Sequence, residues 1–311
     1  MLFGRGETQA THDVSVDVPP RDEDAGLTVQ RVGSGLAVLT PLPPEEPLLP
    51  APDPALIEPS AAGFLPKIDA AGRLPRQVYA RPFDRSDDRA RIVVIVTGIG
   101  LARAPSEAAI NGLPGAFSLA IDAYASDPED WVRAARWRGH EVLATVPVAE
   151  EPRAGEDAGP RALRAAERST DLAAPLADLL GGLTGYVGVL ATGGSAFGRD
   201  PGQLKPVVSM LNERGLLLVS NASEPFLQAA AQSELARVRI DAVIDETPNA
   251  TAIDGQLATL LGIARERFSA VGIARPNPVT LNGLRAWIAS LDERRYVLAP
   301  VSALAERGGL P

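Results

Sequence analysis

Between a charged cluster and a glycine turn, residues 91–100 read Arg-Ile-Val-Val-Ile-Val-Thr-Gly-Ile-Gly, with five consecutive apolar β-branched residues. A half-exposed strand would alternate apolar and polar positions, so this run predicts a strand covered on both faces, as parallel strands under helices are. Further strand-like runs fall at 117–122, 141–146, 186–190, 215–220, 240–244, 270–274 and 295–299. Helical patterns fill the gaps at 103–112, 128–138, 160–181, 201–214, 224–236, 248–267 and 279–292. Asp127-Pro128 and Asp200-Pro201 place a capping residue before a helix-initiating proline, and Gly139 and Gly215 offer left-handed helix stops. Seven or eight βα units predict an α/β fold, a complete or distorted (β/α) barrel. An open doubly wound sheet has the same periodicity.

Residues 1–89 break this rhythm. They hold nearly half of the 28 prolines, crowded between Pro41 and Pro54. Proline at that density fixes φ and removes donors, which predicts a Pro-rich, largely disordered tether ahead of a domain spanning 90–308. Two more apolar stretches, 63–68 and 77–83, are expected to lie extended on that domain. The extension could also recruit an envelope protein partner.

The chain of 311 residues is 45% hydrophobic and 22% charged, enough for a large core. A net charge of −9 excludes a basic nucleic-acid surface. With no cysteine, disulfides, thiolate metal sites and Cys nucleophiles are excluded. No apolar run is long enough for a transmembrane segment, and the first ten residues lack the apolar core of a signal peptide.

In either architecture, chemistry collects at the carboxyl ends of the strands. There the sequence places Thr97, Gly98, Asp122, Thr145, Thr192, Ser195, Ser220, Asn221, Asp245, Glu246, Arg275 and Asn277, a set rich in small hydroxyls. The two histidines, His12 and His140, lie elsewhere, and His140 is expected to bond backbone. Gly193-Gly-Ser195 fails the nucleophile-elbow spacing because Phe197 occupies the second glycine position. Gly98 and Gly100 are too few for a dinucleotide fingerprint. Trp131 and Trp137 are both expected to pack on the outer wall.

From about 91 to 304 the chain resembles the divergent polysaccharide deacetylase family, relatives of NodB-type carbohydrate deacetylases with distorted (β/α) barrels. The resemblance rests on Ile95-Val-Thr-Gly-Ile-Gly-Leu101, Gly139-His-Glu-Val-Leu-Ala-Thr-Val-Pro147, Gly185-Tyr-Val-Gly-Val-Leu-Ala-Thr-Gly-Gly-Ser195 and Arg214-Gly-Leu-Leu-Leu-Val-Ser220. Asp241-Ala-Val-Ile-Asp245, Arg275-Pro-Asn-Pro-Val-Thr280 and Pro300-Val-Ser-Ala-Leu304 follow in order. It implies hydrolysis of acetyl groups on carbohydrate by a divalent metal such as zinc, in the bacterial envelope. The same comparison implies that the metal and proton-transfer positions are replaced: Thr97 and Gly98 stand for the paired aspartates, Thr145 and Thr192 for histidines, Ser220 for an aspartate and Arg275 for a histidine. Asp245 alone persists.

Neutral hydroxyls cannot rebuild an Asp-His-His zinc site. The resulting expectation is a non-catalytic, glycan- or peptidoglycan-associated protein without cofactor. Its ligand cleft would comprise Thr97, Asp122, Thr145, Thr192, Ser195, Asn221, Asp245, Arg275 and Asn277. The alternatives are an active deacetylase with a site relocated to Asp122, Asp245 and Glu246, and a scaffold acting through the Pro-rich tail.

Overall fold

The computed structural model describes residues 42, 45–149, 159–164, 172–192, 201–220 and 233–305, with the side chains of 192 and 201–204 excepted. A short turn leads into a hairpin of β1 (Ile57–Ser60) and β2 (Gly63–Pro66), then α1 (Pro75–Val78). The alternating body follows: β3 (Ala90–Ile99), α2 (Arg103–Gly112), β4 (Ser118–Ile121), α3 (Pro128–Trp137), β5 (Val142–Ala149), β6 (Leu163–Arg164), α4 (Ala173–Leu180) and β7 (Gly188–Thr192). It continues with α5 (Pro201–Glu213), β8 (Leu217–Ser220), β9 (Ala236–Arg239), β10 (Ala242–Val243), α6 (Ala250–Arg267), β11 (Ser269–Ala274), α7 (Pro278–Ala289) and β12 (Tyr296–Leu298).

Strand pairing settles the choice between barrel and open sheet in favour of a curled, barrel-like one. The order β10-β11-β3-β4-β5-β7-β8-β9 is parallel throughout. Its two ends come from one stretch of chain: the Ile240 amide still bonds Ser220 O on β8 at 3.0 Å, and the next amide, of Asp241, bonds Val271 O on β11 at 2.8 Å. The sheet therefore meets itself along residues 236–243. β12 pairs with the first residues of β3, below the point where β4 takes over that edge.

Alternation along each strand sorts side chains into two layers. Ile92, Val94 and Val96 of β3 face the helices with Val142 and Leu218, whereas Val93, Ile95, Ala120, Leu143, Leu190, Leu217, Val219 and Val271 fill the interior. Each Val- to Leu-sized side chain so buried contributes about 1.5–3 kcal/mol, which explains why the strands carry no polar alternation.

The tether expectation fails from Glu45 onward. Leu56 and Tyr79 are buried in the same inner layer as the strands, together with Ala299, Val301 and Ala303 near the carboxyl end. Isolated apolar residues in a proline-rich stretch show no period, yet Leu56 and Tyr79 both fill places in the inner layer. The segments 63–68 and 77–83 do pack on the body, through the β2 residue Leu65 and through Tyr79.

Other local expectations divide. Gly139 and Gly215 take positive φ just after helices, and Asn249 caps α6 by accepting the Ala252 amide at 2.9 Å. Asp127 makes no side-chain cap. The helix expected over 160–181 is confined to Ala173–Leu180 among the described residues, because Leu163–Arg164 pairs with β5 as a strand. Most of the helix expected at 224–236 lies outside the described residues, as do residues 1–41 and His12. Among the described residues no helix is long and apolar enough to cross a membrane.

Candidate functional site

At the carboxyl end of β3 the register with β4 jumps: Val96 opposes Leu119, but Ile99 opposes Ile121. Thr97 and Gly98 thus share the single partner Ala120, a bulge of the kind that re-aims side chains beside binding sites. Gly98 has φ +73°, a left-handed value, yet a Cβ there would meet nothing nearer than Leu101 Cδ1 at 3.7 Å. Gly100 has φ +95° and lies hard against Ala125 and the Trp131 ring, so only glycine fits. The Ser106 hydroxyl accepts the Gly100 amide at 2.9 Å and donates to Ala102 O at 2.6 Å, pinning this turn.

The interior row, followed one step past the core, arrives at the expected residues. Beyond Ala120 lies Asp122 and beyond Leu143 lies Thr145; Thr97 follows Ile95 at the bulge, and the backbone of Thr192 is in register with Pro147. Thr145 is 7% exposed, and its Oγ1 has no hydrogen-bond partner among the described residues. Asp122 is half-buried and closes a local turn by accepting the Tyr124 amide at 2.9 Å. Ser220 falls on the opposite parity from Leu217 and Val219, so it belongs to the helix-facing row and not to the mouth. Ser195 and Asn221 lie outside the described residues.

Asp245 and Arg275 form the second half of the site. Asp245 is 1% exposed, and its Oδ2 accepts the Arg275 amide at 2.9 Å, the Thr280 hydroxyl at 3.1 Å and Asn277 Nδ2 at 3.4 Å. The Arg275 guanidinium lies 3.7 Å from the same oxygen and donates to Asp245 O at 2.9 Å, leaving much of its own surface in solvent. Asp245 Oδ1 is buried with no partner among the described residues. Thr280, on α7, was not singled out from sequence, although it closes the Arg275-Pro-Asn-Pro-Val-Thr280 landmark. Glu246 is exposed.

Among the described residues, no three His, Cys, Asp or Glu side chains converge as a metal would require. The groups around the mouth are the hydroxyls of Thr97 and Thr145 and the carboxylate of Asp122, which closes its own turn, while Asp245 spends one oxygen on the Arg275–Thr280 segment. These residues do not fit a zinc ion. They do fit a neutral ligand, because Thr145 and Asp245 keep buried polar atoms that a hydroxyl or amide of a ligand would satisfy.

The family model described as divergent polysaccharide deacetylase matches residues 94–305. The chain belongs to that family. An uncharacterized protein from Agrobacterium tumefaciens C58 is similar to this family member at 28% identity and a TM-score of 0.72, covering 78% of this chain and 100% of the other. A candidate cellobiose-phosphate cleavage protein from Enterococcus faecalis V583 matches at 10% identity and a TM-score of 0.48, over 70% of this chain and 100% of its own. No curated protein matches.

Proposed function

We propose that this divergent polysaccharide deacetylase family member is a non-catalytic protein that binds glycan or peptidoglycan at the carboxyl mouth of its barrel. The observation that carries this reading is the state of Asp245. The remaining acid of the resemblance holds the Arg275 loop with one oxygen, while the β3 bulge offers a threonine and a glycine in place of a carboxylate pair. Deacetylation needs a polarised carbonyl and an activated water with a base to take its proton. Thr97 and Thr145 supply neither, but both suit hydrogen bonds to sugar hydroxyls, with Arg275 at the rim for a carboxylate of an acidic sugar or peptide.

Two measurements test it. With zinc, cobalt or manganese added, acetylated chito-oligosaccharide should release no acetate. Binding of the same oligosaccharide should saturate and should weaken in Thr145→Val and Arg275→Ala. Stoichiometric micromolar metal binding, with acetate release abolished in Asp245→Ala, would overturn the proposal in favour of a relocated catalytic site.

A further inference from the structure

A second concave surface lies outside the mouth, between α2 and α3. The two tryptophans of α3 part company here, against the expectation that both pack on the wall. Trp131 is 9% exposed, with its Nε1 donating to Ser126 O at 3.0 Å, but Trp137 is 68% exposed. Both line a cavity of about 420 Å³ that starts at Gly100 and Leu101, directly after the β3 bulge, and runs down to Trp137. Leu101, at the mouth end, is 59% exposed.

The chemistry of the walls narrows the occupant. Arg103 stacks over the Trp131 ring at 5.6 Å and pairs with Glu107 at 3.1 Å, and Asp130 pairs with Arg133 at 2.6 Å. Glu107 and Asp130 are each paired with an arginine, and the Arg138 guanidinium donates to Leu42 O and Asn111 O. With Asp127 the groove carries charges of both signs, so no strong field of one sign selects an ionic ligand. Carboxylates and the Asn111 side chain are too frequent along the groove for a purely apolar occupant, whose burial would strand them. A flat indole beside planar hydrogen-bonding groups suits a ligand with an apolar face and a hydroxylated edge. A pyranose with equatorial substituents has that shape. The volume lies within the range of small-ligand sites, about 300–1,000 Å³.

We infer that the α2–α3 groove is an outer saccharide subsite for a neutral β-linked oligosaccharide, with Trp137 as its stacking platform. The inference rests on the glycan-binding reading of the mouth, which the groove adjoins through Gly98–Leu101, but it uses different residues.

Titration of the full chain with chitotetraose and cellotetraose, followed by tryptophan fluorescence and by indole N–H resonances, separates the two. Trp137→Ala should weaken binding about tenfold, the loss of one aromatic contact, while Trp137→Phe retains much of it. An unchanged thermal melt in both variants, expected for so exposed a side chain, shows that the fold is intact. If Thr145→Val and Arg275→Ala weaken binding but Trp137→Ala does not, the groove inference is overturned and the mouth reading stands. If only Trp137→Ala weakens it, the groove stands and the mouth reading falls. Absence of saturable binding in the unmodified chain overturns both.

Discussion

The two ends of the barrel bury polar groups on opposite principles, and β5 connects them. At its amino end, Glu141 is fully buried, and its carboxylate accepts the Arg81 amide at 3.1 Å and the Ser302 amide at 3.0 Å. Arg136, 3% exposed, donates to Leu49 O at 2.7 Å and Tyr79 O at 2.9 Å and lies over the Tyr79 ring. His140 sets its two ring nitrogens 2.9 Å from Phe117 O and Ile110 O. At the carboxyl end, four residues beyond Glu141, neither the Thr145 hydroxyl nor one oxygen of Asp245 has a partner among the described residues. Buried polar groups are paired as a rule, so the closed end holds the fold and the unpaired end is where a ligand can contribute.

The strongest way to break this contrast is to remove Arg136. Its guanidinium joins α3 to the amino-terminal segment through carbonyls that would be left buried and unanswered. Arg136→Ala should lower unfolding free energy by roughly 3–5 kcal/mol in urea titrations. A loss below about 1 kcal/mol would mean that the amino-terminal seal does not hold the body.

Next in size is a pair of glycines in one turn. Gly100→Ala must force a methyl into Ala125 at a positive φ, and about 2–4 kcal/mol is expected. Gly98→Ala meets only the conformational penalty, about 1–2 kcal/mol, because the space beside it is open. Equal losses in the two variants would show that the open space at the bulge is filled. That same space would accept Gly98→Asp, but the variant, even with Thr97→Asp, should not bind zinc, since Thr145 supplies no imidazole.

A third test uses pH. Burial pushes the Glu141 carboxyl above its ordinary 4.5, against the pull of the Ser302 and Arg81 amides. The folded chain therefore holds this proton more tightly than the unfolded one, so the contribution is complete below pH 4.5 and is lost as pH rises through the folded value. Burial also pushes His140 below its ordinary 6.5, against the two carbonyls. Its contribution has the opposite slope, present above pH 6.5 and lost as pH falls toward the folded value. Glu141→Gln should remove the first slope and leave the second, visible as a stability curve that no longer declines on the alkaline side of 4.5. A curve unchanged in shape would place the carboxyl in contact with water.

Much of the body was legible because strands buried on both faces leave unbroken runs such as Ile92–Val96, and because strand ends follow from them by parity. Thr97, Asp122, Thr145, Asp245 and Arg275 were singled out as the positions where such runs end. The stretch around Leu56 departs from the expected tether, since a lone buried residue has no period, whereas 77–83 packs on the body through Tyr79 as its apolar character suggests. Ser220 does end its strand as expected, but it shares the parity of Leu218 and so turns toward the helices. The exposure of Trp137 was missed because six positions of separation on a helix do not say which of two indoles faces the wall.

The smallest effects expected are in the mouth itself, and they are the most discriminating. Thr280→Val removes a donor from the buried Asp245 oxygen and should cost about 1–2 kcal/mol. Thr145→Val removes a hydroxyl that bonds nothing among the described residues, with almost no change in shape. A buried unpaired hydroxyl is itself a penalty, so the change should lie within about 1 kcal/mol of neutral and on the stabilising side. Thermal melts of the two variants read the difference directly. A loss at Thr145 as large as that at Thr280 would show that its hydroxyl is already held within the protein, and the mouth would then have one fewer group to offer a sugar.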